Sequence, residues 1–441
     1  MRAVIEPGAA SGVISAPPSK SYSHRALIAA GLAKGESRIH GVLNSEDISA
    51  TTDCLKLLGV KVMPEGSDRQ IQGMTDRIEH MFDNEKNGET PLIVPCRESG
   101  STIRFFVPLF LLTNRLVEFQ GYGRLMERPM KIYEDICREQ GLLFKRTETG
   151  IQVRGPLSAG VFRVPGNISS QFITGLLFAL PLLHEESRIE LIPPVESRSY
   201  IRITLEVLRD FGIMVREEGD TLTIPGSQQY QSREYTVEGD YSNAAFLDAL
   251  GLVSELVETN QEGDIDIWGK TNPIEKEDIE EKVCPVQVTG LKENSLQGDK
   301  ICGKYLAMLK AGESPIDIQD CPDLGPVLMA VAAVFHGGRF VNTARLKIKE
   351  SDRGQVMAEE LRKFGVFVQC MENEIIVEKG TLRKPETILK GHNDHRIAMA
   401  LSVLCTLTGG SIEGAECVKK SYPGFFEDME RLGIGVEQIW Q

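Results

Sequence analysis

The chain has 441 residues and a formal charge of −14, from 49 Lys and Arg against 63 Asp and Glu. That acidic balance argues against a broad nucleic-acid or anionic-membrane surface, so any anion it binds must be held by a local cationic pocket. The nine cysteines are scattered and form no C-x-x-C pair, the usage of a reduced compartment rather than of a disulfide framework or zinc site.

The N-terminal stretch "MRAVIEPGAASGVISAPPSK" lacks the apolar core of a signal peptide. The most apolar runs, "FFVPLFLL" and "FITGLLFALPLL", fall short of the roughly 20 residues of a membrane-spanning helix. A cytoplasmic chain without membrane or nucleic-acid partners is expected.

In chain order, the first predicted element lies in "PPSKSYSHRALIAAGLAKGESRIHG", residues 17–41. It runs as a polar cluster, an apolar helix, a Gly turn and a short β-branched segment. Five further copies begin at residues 98, 169, 240, 321 and 392, about every 70 to 80 residues. A second element interleaves, a helix that stops at Gly and enters a strand: "CLKLLGVKV", "CREQGLLFKR", "VLRDFGIMVRE", "ELRKFGVFVQC" and "MERLGIGVEQI". The remaining copy, "YLAMLKAGESPIDI", leaves little room for strands before Asp323. Six α/β units of this size exceed ankyrin or TPR repeats, and two domains of three units each is the economical arrangement.

A helix opening with Ser, Asn or Asp has free N–H groups and a partial positive charge there, so each cluster suits an anion. N-capping alone uses the same residue types. The balance shifts on Arg25, Arg104, Arg353 and Arg396, each just inside an apolar segment. A cation there opposes the macrodipole by several tenths of a kcal/mol unless an anion joins it.

The motifs "PPSKSYSHRAL", "RLMERPM", "GNISSQFITGLL", "VEGDYSNAAF", "NSLQGD", "CPDLGPVL", "KIKESDR", "NDHRIAMAL" and "KKSYPGFFEDM" occur in this order over almost the whole chain. With them the sequence resembles the 5-enolpyruvylshikimate-3-phosphate synthase family of enolpyruvyl transferases. The resemblance implies an α/β, two-domain enolpyruvyl transferase fold, each domain three βαβαββ units in an inside-out α/β barrel, with the active site between them. It places one domain at residues 1–19 plus 239–441 and the other at 20–238. The implied reaction adds the 5-hydroxyl of shikimate 3-phosphate to C2 of phosphoenolpyruvate, protonates C3 and then eliminates phosphate. No metal or organic cofactor is implied, which agrees with the lack of clustered His and Cys ligands or a Walker-type loop. A monomer is expected.

Residue by residue, the resemblance assigns shikimate 3-phosphate to Ser21, Arg25, Ser169, Ser170, Gln171, Ser197, Tyr200, Asp323, Arg345 and Lys349, with Lys20 bridging both substrates. Phosphoenolpyruvate falls to Lys20, Gly100, Arg124, Gln171, Arg353, Arg396 and Lys420. These are the cations and donors that phosphates and carboxylates require, the planar fork of Arg above all. Lys20, Asp323 and Glu350 match catalytic positions. Asp323 suits orienting or deprotonating the hydroxyl and Glu350 the proton at carbon, although an N-cap and a first-turn acid read the same way. At Gly100 a side chain would intrude on the ligand, or else the turn itself demands Gly.

Glu98 stands where many members carry an amide and is left out of the site; Arg345 stands where many have Asn. His392 and His395 read as structural, since no third ligand motif accompanies them. The stretch "IWGKTNPIEKEDIEEKVCPVQV" looks longer than the family's connection and 297–323 shorter, so one unit is expected to be remodelled. Two alternatives remain: the UDP-N-acetylglucosamine enolpyruvyl transferases, which typically carry a loop Cys and an opening Lys-Asn pair, and a non-catalytic anion-binding scaffold.

Overall fold

A computed structural model describes residues 1–74, 90–259, 265–266 and 286–440. Cys284 and most of the long stretch before "NSLQGD" lie outside the described residues. Two compact units are present, Met1–Pro17 with Gly239–Ser295 and Asp299–Gln441, and Pro18–Glu238 with Leu296–Gly298. Each has its own apolar core.

One pattern repeats. Strand Leu92–Arg97, helix Gly100–Phe110, strand Val117–Gly121, helix Lys131–Glu139 and strands Leu143–Arg146 and Gly150–Arg154 follow in sequence. The first two strands pair in parallel and the rest antiparallel, so the fourth strand lies inside the third. The segments 161–224 and 316–377 repeat this order. Two other sheets are completed by distant chain: Glu234–Thr236 pairs in parallel with Glu36–His40, and Arg2–Ile5 sits antiparallel between Gly410–Glu413 and Val436–Ile439. Among the described residues the sheets stay separate and none closes into a barrel.

The repeated sequence pattern explains the layering. Helices that follow the polar clusters are apolar on every side and lie inside: Lys20–Leu32 buries all of Tyr22 to Leu32, and His395–Thr408 buries its entire length. Gly100–Phe110 packs on Ser170–Ala179, and His395–Thr408 on Gly325–Val334. Helices of the second kind bury one stripe only; Arg198–Asp210 covers Ile201, Ile203, Thr204, Val207 and Leu208. They end at the expected glycines, with Gly212 (φ +81°) and Gly365 (φ +88°) in the left-handed conformation that closes a helix. No helix among the described residues is long and apolar enough to cross a membrane.

Leu296–Gly298 joins the unit of Pro18–Glu238 through polar contacts. Gln297 Nε2 donates to Glu238 Oε1 at 2.7 Å, and Ser19 Oγ donates to Gln297 Oε1 at 3.4 Å.

The late-arriving strand Glu234–Thr236 has a side-chain clamp, because His40 bridges Asp68 (Nδ1, 2.6 Å) and Glu234 (Nε2, 2.7 Å). Hydrogen bonds to Glu234 and Asp68 raise the imidazole pKa. A raised folded pKa means that the clamp's contribution is complete below the unfolded value of about 6.5 and fades as pH rises through the folded value. An NMR titration of His40 is expected to give a midpoint above about 6.5; one at or below it contradicts the clamp.

Candidate active site

In the unit of Pro18–Glu238 the inner helices open on the expected side chains. Ser19, Ser99 and Ser169 cap helices Lys20–Leu32, Gly100–Phe110 and Ser170–Ala179, each accepting a backbone N–H. Lys20 Nζ donates to Asp47 Oδ2 at 3.2 Å. Arg25 is buried, donates from Nε to Thr204 Oγ1 at 2.8 Å and from Nη1 to the Ser21 carbonyl at 2.8 Å, and lies over the Phe105 ring. Among the described residues it forms no ion pair, and burial lowers its pKa to about 10. A guanidinium held by hydroxyls and carbonyls alone keeps its charge uncompensated for an anion.

Gln171 accepts from Arg104 Nη1 at 2.6 Å and donates to Ser101 Oγ at 2.9 Å. A Cβ at Gly100 would fall 2.6 Å from Arg128 Nη1 and 2.9 Å from Arg104 Nη1, so this glycine admits two guanidinium groups to the backbone. Ser170 and Ser197 are buried, Ser197 with φ 54°, and Ser197 directly precedes helix Arg198–Asp210. Arg124 stands apart: it is 51% exposed on a 3₁₀ turn and pairs with Glu127 at 3.4 Å. Glu98 lies against Gly123 (φ +59°), where a Cβ would overlap its carboxylate.

In the other unit the expected carboxylates share one cation. Arg353, 1% exposed, donates from Nη1 to Asp323 Oδ1 at 2.8 Å and from Nη2 to Glu350 Oε2 at 2.8 Å. Asp394, 0% exposed, takes Nε at 2.8 Å and Nη2 at 3.2 Å. Four of the five guanidinium N–H groups are thus engaged on carboxylates. Burial alone would lower the Arg353 pKa; Asp394, Glu350 and Asp323 overcome that and raise it.

Asp323 also accepts from Lys349 Nζ at 3.0 Å and faces Arg396 Nη2 at 3.4 Å. Burial pushes its pKa up, but the charges of Arg396, Lys349 and Arg353 outweigh burial and hold it well below the usual carboxylate range. It is therefore an ionised acceptor at neutral pH, suited to orienting a hydroxyl. Burial lowers the Lys349 pKa, opposed by Asp323 and assisted by buried Arg345. Lys420 Nζ donates to the Asn393 carbonyl at 2.7 Å and to Asn393 Oδ1 at 2.8 Å, so it joins the network through the residue before Asp394.

Sequence reasoning missed Asp394 and Asp47. Asp394 stands inside the quoted "NDHR" and its capping role was legible, for it accepts the Arg396 N–H at 3.0 Å. Its hold on Arg353 spans 41 residues and leaves no sequence signal. Arg104 is noted as a helix-start cation but given no ligand role. His392 Nε2 meets Glu360 at 2.8 Å, and His395 is buried at a helix start.

Residues 4–429 match the family described as EPSP synthase (3-phosphoshikimate 1-carboxyvinyltransferase). The 3-phosphoshikimate 1-carboxyvinyltransferases of Clostridium kluyveri and Clostridium perfringens are each 38% identical, with 98% of this chain and 98% of theirs aligned. Among solved structures, EPSP synthase from Acinetobacter baumannii superposes with a TM-score of 0.73 at 23% identity, covering 99% of this chain and 100% of that one. The enolpyruvyl transferase NikO from Streptomyces tendae superposes at 0.70 with 12% identity, covering 99% and 98%. At those identities the two structures establish the enolpyruvyl transferase fold. The end-to-end sequence match shows that the chain belongs to the EPSP synthase (3-phosphoshikimate 1-carboxyvinyltransferase) family.

Proposed function

We propose that the chain moves the enolpyruvyl group of phosphoenolpyruvate to the 5-hydroxyl of shikimate 3-phosphate, on the path to chorismate and the aromatic amino acids. The observation that carries this reading is the pair Asp323 and Glu350 held on one buried guanidinium beside Lys349 and Arg396. In the first step the hydroxyl oxygen loses its proton and bonds to C2 while the double bond between C2 and C3 opens and C3 gains a proton. In the second C3 loses a proton, the double bond re-forms, the bond from C2 to the phosphate oxygen breaks, and phosphate leaves carrying one proton.

Asp323, kept ionised, orients the 5-hydroxyl, and Glu350 exchanges the proton at C3. Ser21, Arg25, Ser169, Ser170, Ser197 and Tyr200 hold shikimate 3-phosphate, with Gln171, Arg345 and Lys349 contributing and Lys20 bridging to phosphoenolpyruvate. Gly100, Arg124, Arg396 and Lys420 are assigned to the phosphoenolpyruvate anion. Arg353, with four N–H groups engaged, acts mainly by fixing the carboxylates. The enzyme works as a monomer; its place is the cytoplasm, the latter reading supported by the eight free cysteines among the described residues, the usage of a reduced compartment.

Phosphate release is the test. It is expected only when both substrates are present, without added metal, and not when UDP-N-acetylglucosamine replaces shikimate 3-phosphate. Release with the sugar nucleotide and none with shikimate 3-phosphate overturns the assignment.

A further inference from the structure

Arg25, Thr174, Thr204 and Tyr200 come from three helices, Lys20–Leu32, Ser170–Ala179 and Arg198–Asp210. Each helix carries proposed shikimate 3-phosphate ligands near its start: Ser21 and Arg25 on the first, Ser169 and Ser170 on the second, Ser197 and Tyr200 on the third. The hydrogen bonds among them have a fixed direction. Thr204 Oγ1 donates to the Tyr200 carbonyl at 2.9 Å, which can only accept. Its one proton being used there, the contact of 2.8 Å between the two hydroxyls has Thr174 as donor. Thr204 Oγ1 also accepts from Arg25 Nε at 2.8 Å, and Thr174 Oγ1 from Arg25 Nη2 at 3.3 Å. Arg25 Nη2 reaches the Tyr200 carbonyl as well, at 3.2 Å.

We infer that Thr204, seconded by Thr174, is a positioning residue that sets the Arg25 guanidinium against Tyr200 and locks the three helix starts in register for shikimate 3-phosphate. This rests on the reading of Arg25 as a ligand of that substrate. Neutral hydroxyls suit the task better than a carboxylate: they fix the plane of the guanidinium and leave its charge for the phosphate or carboxylate of the ligand. Both threonines are fully buried, so no water replaces a lost hydroxyl without rearrangement.

Thr204→Val keeps the branched shape and strands three groups: Arg25 Nε, the Thr174 hydroxyl and one bond to the Tyr200 carbonyl. The expected result is a rise of about tenfold in both the KM and the calorimetric Kd for shikimate 3-phosphate. The KM for phosphoenolpyruvate and kcat should change by less than about twofold, because the lost contact serves ground state and transition state alike. Thr204→Ser restores affinity. Independently of any substrate, the Arg25 Nε proton seen by NMR exchanges slowly in the wild type and in Thr204→Ser, and fast in Thr204→Val.

Wild-type affinity in Thr204→Val, or failure of Ser to rescue, overturns the inference while wild-type binding keeps the functional reading intact. A wild-type protein that does not bind shikimate 3-phosphate overturns both. Should Thr204→Val fail to fold, Thr174→Val decides the matter: it leaves the Thr204 bonds to Arg25 and to the Tyr200 carbonyl in place and is expected to show a smaller rise of the same kind, and no rise contradicts the proposal.

Discussion

Glu350→Gln is expected to lower turnover by roughly 10²- to 10⁴-fold, the range for a lost general acid or base, while shikimate 3-phosphate still binds. The substitution is informative because of where Glu350 sits. Its Oε2 accepts from Arg353 Nη2 at 2.8 Å, and a Gln oxygen can accept the same bond, so the guanidinium and with it Asp323 stay in place. What disappears is the exchangeable proton. Glu350 is 21% exposed, open enough to meet a ligand atom, and its Oε2 is tied to Arg353. Single-turnover phosphate release with calorimetric binding of shikimate 3-phosphate separates the two effects. Turnover within a few-fold of wild type would reduce Glu350 to a helix-end acid.

Arg353→Met removes the hub and is expected to act on stability as well as activity. It leaves Asp394 fully buried without its cation, and Asp323 and Glu350 lose theirs in part. Breaking a buried pair by removing one partner costs about 3–5 kcal/mol, which in a domain of this size lowers the unfolding midpoint by roughly 10 °C. The pH dependence gives the mechanism away. Asp323 has a depressed pKa in the native state, so its contribution is present above the unfolded value of about 3.9 and is lost as pH falls through the folded value. Without Arg353 that depression weakens, so Asp323 binds its proton at higher pH than in the wild type. The deficit of the variant relative to wild type should therefore be largest near pH 7 and shrink on acidification. A deficit that stays constant or grows on acidification assigns the loss to packing, not to charge.

These two effects mark the limit of what the sequence reveals. Six polar clusters followed by apolar helices were legible because each is local: a cap, a buried run and a glycine stop lie within one stretch of chain. Asp323, Glu350 and Arg353 were legible through their motifs. The closing strands were not, since Arg2–Ile5 and Glu234–Thr236 are short and join sheets whose other strands lie far along the chain. Nor was the support beneath the site. Lys20 finds Asp47 after 27 residues, Arg353 finds Asp394 after 41, and Arg25 finds Thr204 after 179. No periodicity records such pairings, because buried polar partners are chosen by the packing of helices and not by spacing. Arg353 shows the consequence: its motif suggests a ligand cation, whereas its contacts make it first the holder of two proposed catalytic carboxylates.

The central claim is that carbon chemistry at C2, not phosphoryl transfer, is performed on phosphoenolpyruvate. It is tested most directly with phosphoenolpyruvate carrying ¹⁸O in the oxygen that bridges C2 and phosphorus, incubated with the enzyme and shikimate 3-phosphate and followed by ³¹P NMR. Addition–elimination breaks the bond between C2 and that oxygen, so all of the label is expected in the released phosphate, matched by a product that keeps the shikimate phosphorus. Unlabelled phosphate, with the ¹⁸O left on the three-carbon fragment, would mean cleavage between phosphorus and oxygen and would contradict the account.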